Sequence, residues 1–148
     1  MPSLITRLGL TFAFLLGTAC VGGGSGGESG ADDPLGASLG VEPDPVAPGA
    51  RLRLRLDVTN RSDTTVSLDF TSGQRFDFAL RRGDEDVARW SADRSFVQIL
   101  GTEAYPASET RVYEGSLTAP SEPGDYTAVG WLTSPGARVR DSVALTVR

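Results

Sequence analysis

The chain from residue 38 onward predicts an all-β fold, an immunoglobulin-like antiparallel β-sandwich of about eight or nine strands. Three observations carry this expectation. Apolar residues recur at every second position in a series of short segments. Clusters of Gly, Asn, Asp and Ser separate those segments at intervals of roughly eight to twelve residues. No stretch beyond the leader keeps helical spacing over about eleven residues.

Residues 50–60 set Leu52, Leu54, Leu56 and Val58 on one face and Arg51, Arg53, Arg55 and Asp57 on the other. Such a strand has one side in the core and one in water. Asn60-Arg61-Ser62-Asp63 is turn chemistry, after which Val66, Leu68 and Phe70 point inward. Ser72-Gly73 interrupts, and Phe76, Phe78 and Leu80 then alternate with Asp77, Ala79 and Arg81. Arg82-Gly83-Asp84-Glu85 closes an expected hairpin into residues 87–91. Residues 96–100 read as a short apolar strand centred on Gln98, and 110–117 as a weaker alternation. Residues 125–133 set Tyr126, Ala128 and Leu132 against Thr127, Val129 and Trp131, and 139–147 align Val143, Leu145 and Val147. Tyr126 follows Pro123-Gly124-Asp125, where sandwich domains often carry a tyrosine whose hydroxyl bonds back to the corner backbone. Of the eleven aromatics, nine fall between Phe70 and Trp131, which marks the middle and late strands as the heavy part of the core.

Ahead of the sandwich lies a different kind of sequence. Residues 8–16 are an uninterrupted run of mostly apolar side chains after Arg7, too short to span a bilayer core that needs about twenty. With the small residues Gly17, Thr18 and Ala19 leading into Cys20, residues 1–19 read as a bacterial lipoprotein signal peptide. Cys20 is then the lipidated residue, although Gly17 stands where a lipobox usually has leucine. Residues 20–37 are the lipidated cysteine and a flexible linker rich in Gly, Ser and Asp, with an r.m.s. span of roughly 20–25 Å. The expected location is outside the cytoplasm, on the cell membrane or outer membrane, with the lipid as the only membrane contact.

Composition narrows the chemistry. The basic residues number fourteen and all are arginine, so both lysine and histidine are missing. Neither a Ser-His-Asp nor a Ser-Lys nucleophile can be assembled. Without imidazole, and with one cysteine assigned to lipid, no metal or other cofactor is expected. Nineteen acids give a net charge of −5, which argues against nucleic acid as the partner. The acids fall in turns or on outward strand faces, so a non-enzymatic protein is expected. Arg51, Arg53 and Arg55 could grip an anionic partner, and would equally serve as a wet face or guard an edge. Polar residues among large aromatics stand out between residues 72 and 98. Gln74, Asp77, Ser91 and Gln98 lie among Phe76, Phe78, Trp90 and Phe96 and read as an internal network or a binding surface.

Here the sequence resembles a known family. Val58-Thr59-Asn60 with Ser62, then Phe70 with Ser72-Gly73-Gln74 and Phe76-Asp77-Phe78, then Trp90-Ser91 with Phe96 and Gln98, and Pro123-Gly124 with Tyr126-Thr127 are similar to the intracellular proteinase inhibitor (BsuPI-type) family. The resemblance covers residues 38–148 and implies an immunoglobulin-like sandwich that inhibits a subtilisin-type serine protease. On it rests the candidate surface: Ser72, Gly73, Gln74, Phe76, Asp77, Phe78, Trp90, Ser91, Phe96 and Gln98. The chain departs from the pattern in its leader and at Pro106-Ala107-Ser108-Glu109, where the family tends to have Pro-Gly-Glu. Two functions stay open: a lipid-anchored inhibitor with residues 101–109 or 82–86 as its loop, and a non-inhibitory envelope lipoprotein that docks a protein or glycan. Cys20→Ser is expected to abolish incorporation of a clickable fatty acid, and equal labelling of the variant overturns the lipid anchor.

Overall fold

Alternation with a period of two does most of the building. A computed structural model describes residues 33–148. The stretch read as a signal peptide, Cys20 and the expected linker as far as residue 32 lie outside the described residues. Nine strands form β1 (Leu35–Glu42), β2 (Arg51–Asn60), β3 (Val66–Phe70), β4 (Phe76–Arg82), β5 (Glu85–Arg89), β6 (Gly101–Tyr105), β7 (Thr110–Thr118), β8 (Gly124–Leu132) and β9 (Arg140–Val147). All pair antiparallel, in the orders β1-β2-β7, β3-β6 and β5-β4-β8-β9. The result is an all-β sandwich of the immunoglobulin-like kind.

On β2 the leucines and Val58 are buried while Arg51, Arg53 and Arg55 are exposed, as the alternation predicts. The inward faces of β2, β4, β8 and β9 meet in one core containing Leu52, Leu54, Leu56, Phe78, Leu80, Tyr126, Ala128 and Leu145. β1 and β9 close one side, where the Leu39 N–H donates to Asp141 Oδ2 at 2.8 Å. Tyr126 makes the expected corner bond, its hydroxyl donating to the Glu122 carbonyl at 2.8 Å. At the other corner Asn60 is fully buried. Its Nδ2 donates to the carbonyls of Thr64 and Tyr105, and its Oδ1 accepts from both the backbone and the hydroxyl of Ser62.

Three expectations need correction. β1 opens at Leu35, inside the stretch read as linker, because Leu35 pairs with Asn60 and is buried in the core. Residues 96–100 form no strand: nothing ladders beside them, and the strand begins at Gly101. Residues 101–109 are therefore a loop only in their second half, where 106–108 are exposed. They are β6 followed by a turn closed by Glu109 N–H to the Pro106 carbonyl at 3.1 Å. Within that turn Ser108 adopts φ 62°, a left-handed conformation that glycine takes without strain.

Phe78 fills the centre of the sandwich because two glycines leave room for it. A Cβ on Gly115 of β7 would lie 2.9 Å from the Phe78 ring and 2.8 Å from Trp90 Nε1. One on Gly130 of β8 would lie 3.0 Å from the other side of the same ring. Gly115→Ala should therefore overpack the core and cost about 1–3 kcal/mol in urea unfolding. An unchanged midpoint would show that the two sheets can part to admit the methyl group.

Candidate functional site

β4 inverts the usual rule that outward strand positions are wet. Its alternation sends Phe76, Phe78 and Leu80 into the core, yet Asp77 and Ala79 on the opposite face are also buried. Asp77 has no exposed surface, and a carboxylate there needs a full set of donors. It has them. Oδ1 accepts the backbone N–H of Phe78 at 2.9 Å and of Ser91 at 3.1 Å, and Oδ2 accepts Arg89 Nε at 2.8 Å and Ser91 Oγ at 2.6 Å. Arg89 in turn lies over the Trp131 ring, 5.2 Å from its centroid.

This clamp fixes the segment after β5, and with it Trp90. The Trp90 ring packs on Phe76 at 4.6 Å and edge-on to Phe78 at 6.5 Å, and Tyr113 from β7 meets Phe76 at 5.1 Å. Phe96 then lies against Trp90 at 6.0 Å, while the Arg94 guanidinium covers Trp90 at 4.1 Å. Tyr113 also shares a 2.6 Å hydroxyl–hydroxyl bond with Tyr105. Burial pushes both phenols up from their ordinary value, so the pair resists deprotonation even in alkaline solution.

From Arg94 to Leu100 the backbone has no regular structure. It is nonetheless held at three places: Arg94 N–H to the Ser91 carbonyl at 3.1 Å, the Phe96 ring on Trp90, and the Val97 carbonyl accepting from Gly73 N–H at 2.8 Å. Gly73 leaves room for that contact, since a Cβ there would meet Val97 Cγ2 at 3.0 Å and press on its side chain. The 72–75 turn is itself strapped down. Ser72 Oγ accepts from Gln74 N–H at 3.2 Å, Thr133 Oγ1 donates to the Gln74 carbonyl at 2.7 Å, and Arg75 Nε donates to Glu103 at 2.6 Å. Beyond Phe96 the segment turns its apolar side chains to water: Val97 is 65% exposed, Ile99 64% and Leu100 79%.

The structure thus brings together nine of the ten motif residues. Asp77 and Ser91 form the clamp, Phe76, Phe78, Trp90 and Phe96 the aromatic stack, and Ser72, Gly73 and Gln74 the strap. Gln98 stands apart. It is exposed, reaches only the Phe96 carbonyl at 3.4 Å, and takes no part in the network expected of it. Sequence reading missed Val97, Ile99 and Leu100 as surface residues, since an apolar run ordinarily signals a buried strand. It also missed Tyr113 and Gly115, whose strand alternates weakly. The 82–86 hairpin is exposed as expected, with Arg81 Nε paired to Asp86 at 2.6 Å.

Comparison with known proteins adds a family. The profile of the intracellular proteinase inhibitor family, BsuPI, matches residues 39–137, from within β1 to just short of β9. No curated protein sequence matches. Among solved structures, a sporulation control protein from Bacillus subtilis is 14% identical with a TM-score of 0.48, covering 78% of this chain and 49% of its own. An alkylpurine DNA glycosylase from Pseudomonas fluorescens is 15% identical with a TM-score of 0.49, covering 80% of this chain and 32% of its own. A CARDB domain from Pyrococcus furiosus is 14% identical with a TM-score of 0.45, covering 77% and 92%. This chain therefore spans about half of the first of these proteins and a third of the second.

The clamp generates its own test. Asp77→Asn replaces an acceptor oxygen with a donor facing Arg89 and Ser91, and should cost about 1–3 kcal/mol in urea unfolding. Wild-type stability in that variant would mean the carboxylate is dispensable.

Proposed function

The chain belongs to the intracellular proteinase inhibitor (BsuPI) family, and on that premise we propose that it is a lipid-anchored inhibitor that binds a subtilisin-type serine protease outside the cytoplasm. It works by binding and carries out no catalysis. The observation that carries this reading is the exposure of Val97, Ile99 and Leu100 on an irregular segment pinned from both sides. A protease cleft takes an extended stretch of chain, and an inhibitor gains when that stretch is ordered before it binds. Residues 96–101 carry no charge, which suits a cleft that takes apolar side chains.

The placement of the tether supports the same reading. Leu35, where the described chain enters the sandwich, pairs with Asn60, which is bonded to the Tyr105 carbonyl. The apolar segment runs into Gly101, at the opposite end of β6. A domain anchored through Cys20 would then present residues 96–100 away from the membrane.

Titrating a subtilisin-type protease with the full chain should reduce its activity stoichiometrically. Ile99→Asp and Leu100→Asp should each weaken inhibition by at least about tenfold, the scale of a central contact residue. Asp84→Ala in the 82–86 hairpin should leave it unchanged. Undiminished protease activity at about hundredfold excess, with the chain folded and uncleaved, would overturn the inhibitory reading.

A further inference from the structure

A second feature lies on the outer face of the β1-β2-β7 sheet and owes nothing to the apolar segment. A groove of about 950 Å³ runs across that face to the Trp90 wall, lined among others by Arg51, Arg53, Arg55, Arg94, Glu42 and Glu114. Four guanidinium groups thus face two carboxylates, in a protein whose net charge is −5. The arginines are not equally committed. Arg55 is paired to Asp57 at 2.9 Å and lies 3.9 Å from Glu114. Arg51 donates only to Ser116 Oγ, at 2.7 Å. Arg94 is stacked on Trp90 and donates to the Trp90 carbonyl at 3.1 Å, with no acid on it. Arg53 has no hydrogen-bond or ion-pair partner among the described residues. Trp90 itself lines the groove beneath the Arg94 guanidinium, while its Nε1 edge turns inward over Gly115.

We propose that this groove binds an extended peptide bearing carboxylates at alternate residues. The spacing selects that class of partner. Alternate residues of an antiparallel strand repeat every ~6.8 Å, so Arg51, Arg53 and Arg55 form a ladder with a span of ~14 Å. Carboxylates on one face of an extended peptide repeat at the same interval. Arg51 and Arg53, which carry no acid, can each grip one through paired N–H donors, and Arg55 takes a third by sharing its guanidinium with Asp57. An isolated phosphate or carboxylate would satisfy a single rung. A polyanion of uniform charge density, such as nucleic acid, would be set against Glu42 and Glu114 as well as the arginines, a mismatch that disfavours it. The Arg94–Trp90 stack is already ordered by the clamp behind it, so the wall needs no rearrangement to receive a ligand.

The protein reports on the groove directly, because its two tryptophans are Trp90 and Trp131. In a Trp131→Phe background, the full chain in detergent is titrated with an octapeptide of alternating Glu and Thr, and Trp90 emission is followed. The expected result is saturable binding that falls roughly tenfold between 50 and 200 mM salt, as screening dictates. A peptide of four Glu followed by four Thr should bind at least about fivefold more weakly, as a specificity built on spacing requires. Arg53→Glu should abolish the response while leaving circular dichroism and melting unchanged, since the side chain is exposed. Ile99→Asp should bind the alternating peptide normally, which separates this surface from the protease-binding segment. No saturable change with the alternating peptide, undiminished binding by Arg53→Glu, or equal binding of the block peptide or of an oligodeoxythymidylate would each overturn the proposal.

Discussion

The structure depends on one buried carboxylate. Asp77 occupies a strand position that alternation assigns to solvent, and burying an ionised acid without partners costs more than most single contacts return. Here four donors converge on it, two from backbone N–H groups and two from Ser91 and Arg89. Three of the four come from Arg89, the last residue of β5, and from Ser91 just after it. Satisfying the charge and fixing that segment are therefore the same event. The clamp holds residues 89 and 91, so Trp90 between them is left with one way to point, into the gap between the sheets.

Consequences spread from Trp90 in two directions. Inward, it meets Phe76, Phe78 and the bare Cα of Gly115, so the two sheets interlock where a larger residue on β7 would force them apart. Outward, it offers one surface to Phe96 and another to Arg94. The apolar segment and the arginine-lined groove thus share a single support. Weakening Asp77 should loosen both, whereas changing an exposed residue in either should leave the other intact. A buried polar network that is fully satisfied gives this kind of rigidity, because moving any member strands the rest.

Much of the architecture was legible in the residues. Strict alternation in β2, β4 and β8 gave their inward faces, and the Pro-Gly-Asp-Tyr corner gave the Tyr126 bond. Elsewhere the signal failed for physical reasons. Residues 96–100 are apolar like a strand, but alternation cannot tell whether a neighbour exists to pair with them, and none does. β6 reads GTEAY, whose inward positions hold Gly101, Glu103 and Tyr105, so the period is hidden by a charge that pairs with Arg75 and Arg111 instead of facing water. β7 turns Arg111 and Tyr113 inward and leaves Val112 exposed, the reverse of a simple hydrophobic rule. The groove was half visible. Its arginine row was plain, whereas its Trp90 wall lies more than thirty residues away and is brought there only by the clamp.

Exposing three aliphatic side chains on an unpaired stretch of backbone is a hazard in any β protein, since such a stretch can recruit a strand from another molecule. The chain limits the risk without hiding the surface. Gln98 breaks the apolar run at its centre, Gly101 follows directly, and the Gly73–Val97 bond together with Phe96 keeps the backbone from straightening into a free edge. An apolar run with no recognition role could be replaced by polar residues at little cost to the fold, because Val97, Ile99 and Leu100 bury little area in the domain. The fold instead commits a glycine, an aromatic anchor and a buried carboxylate to holding that run in place. Such support makes physical sense if the segment's order is used by something that binds it, which is why residues 96–100, and not the better-formed 82–86 hairpin, are where contact with a protease should be sought.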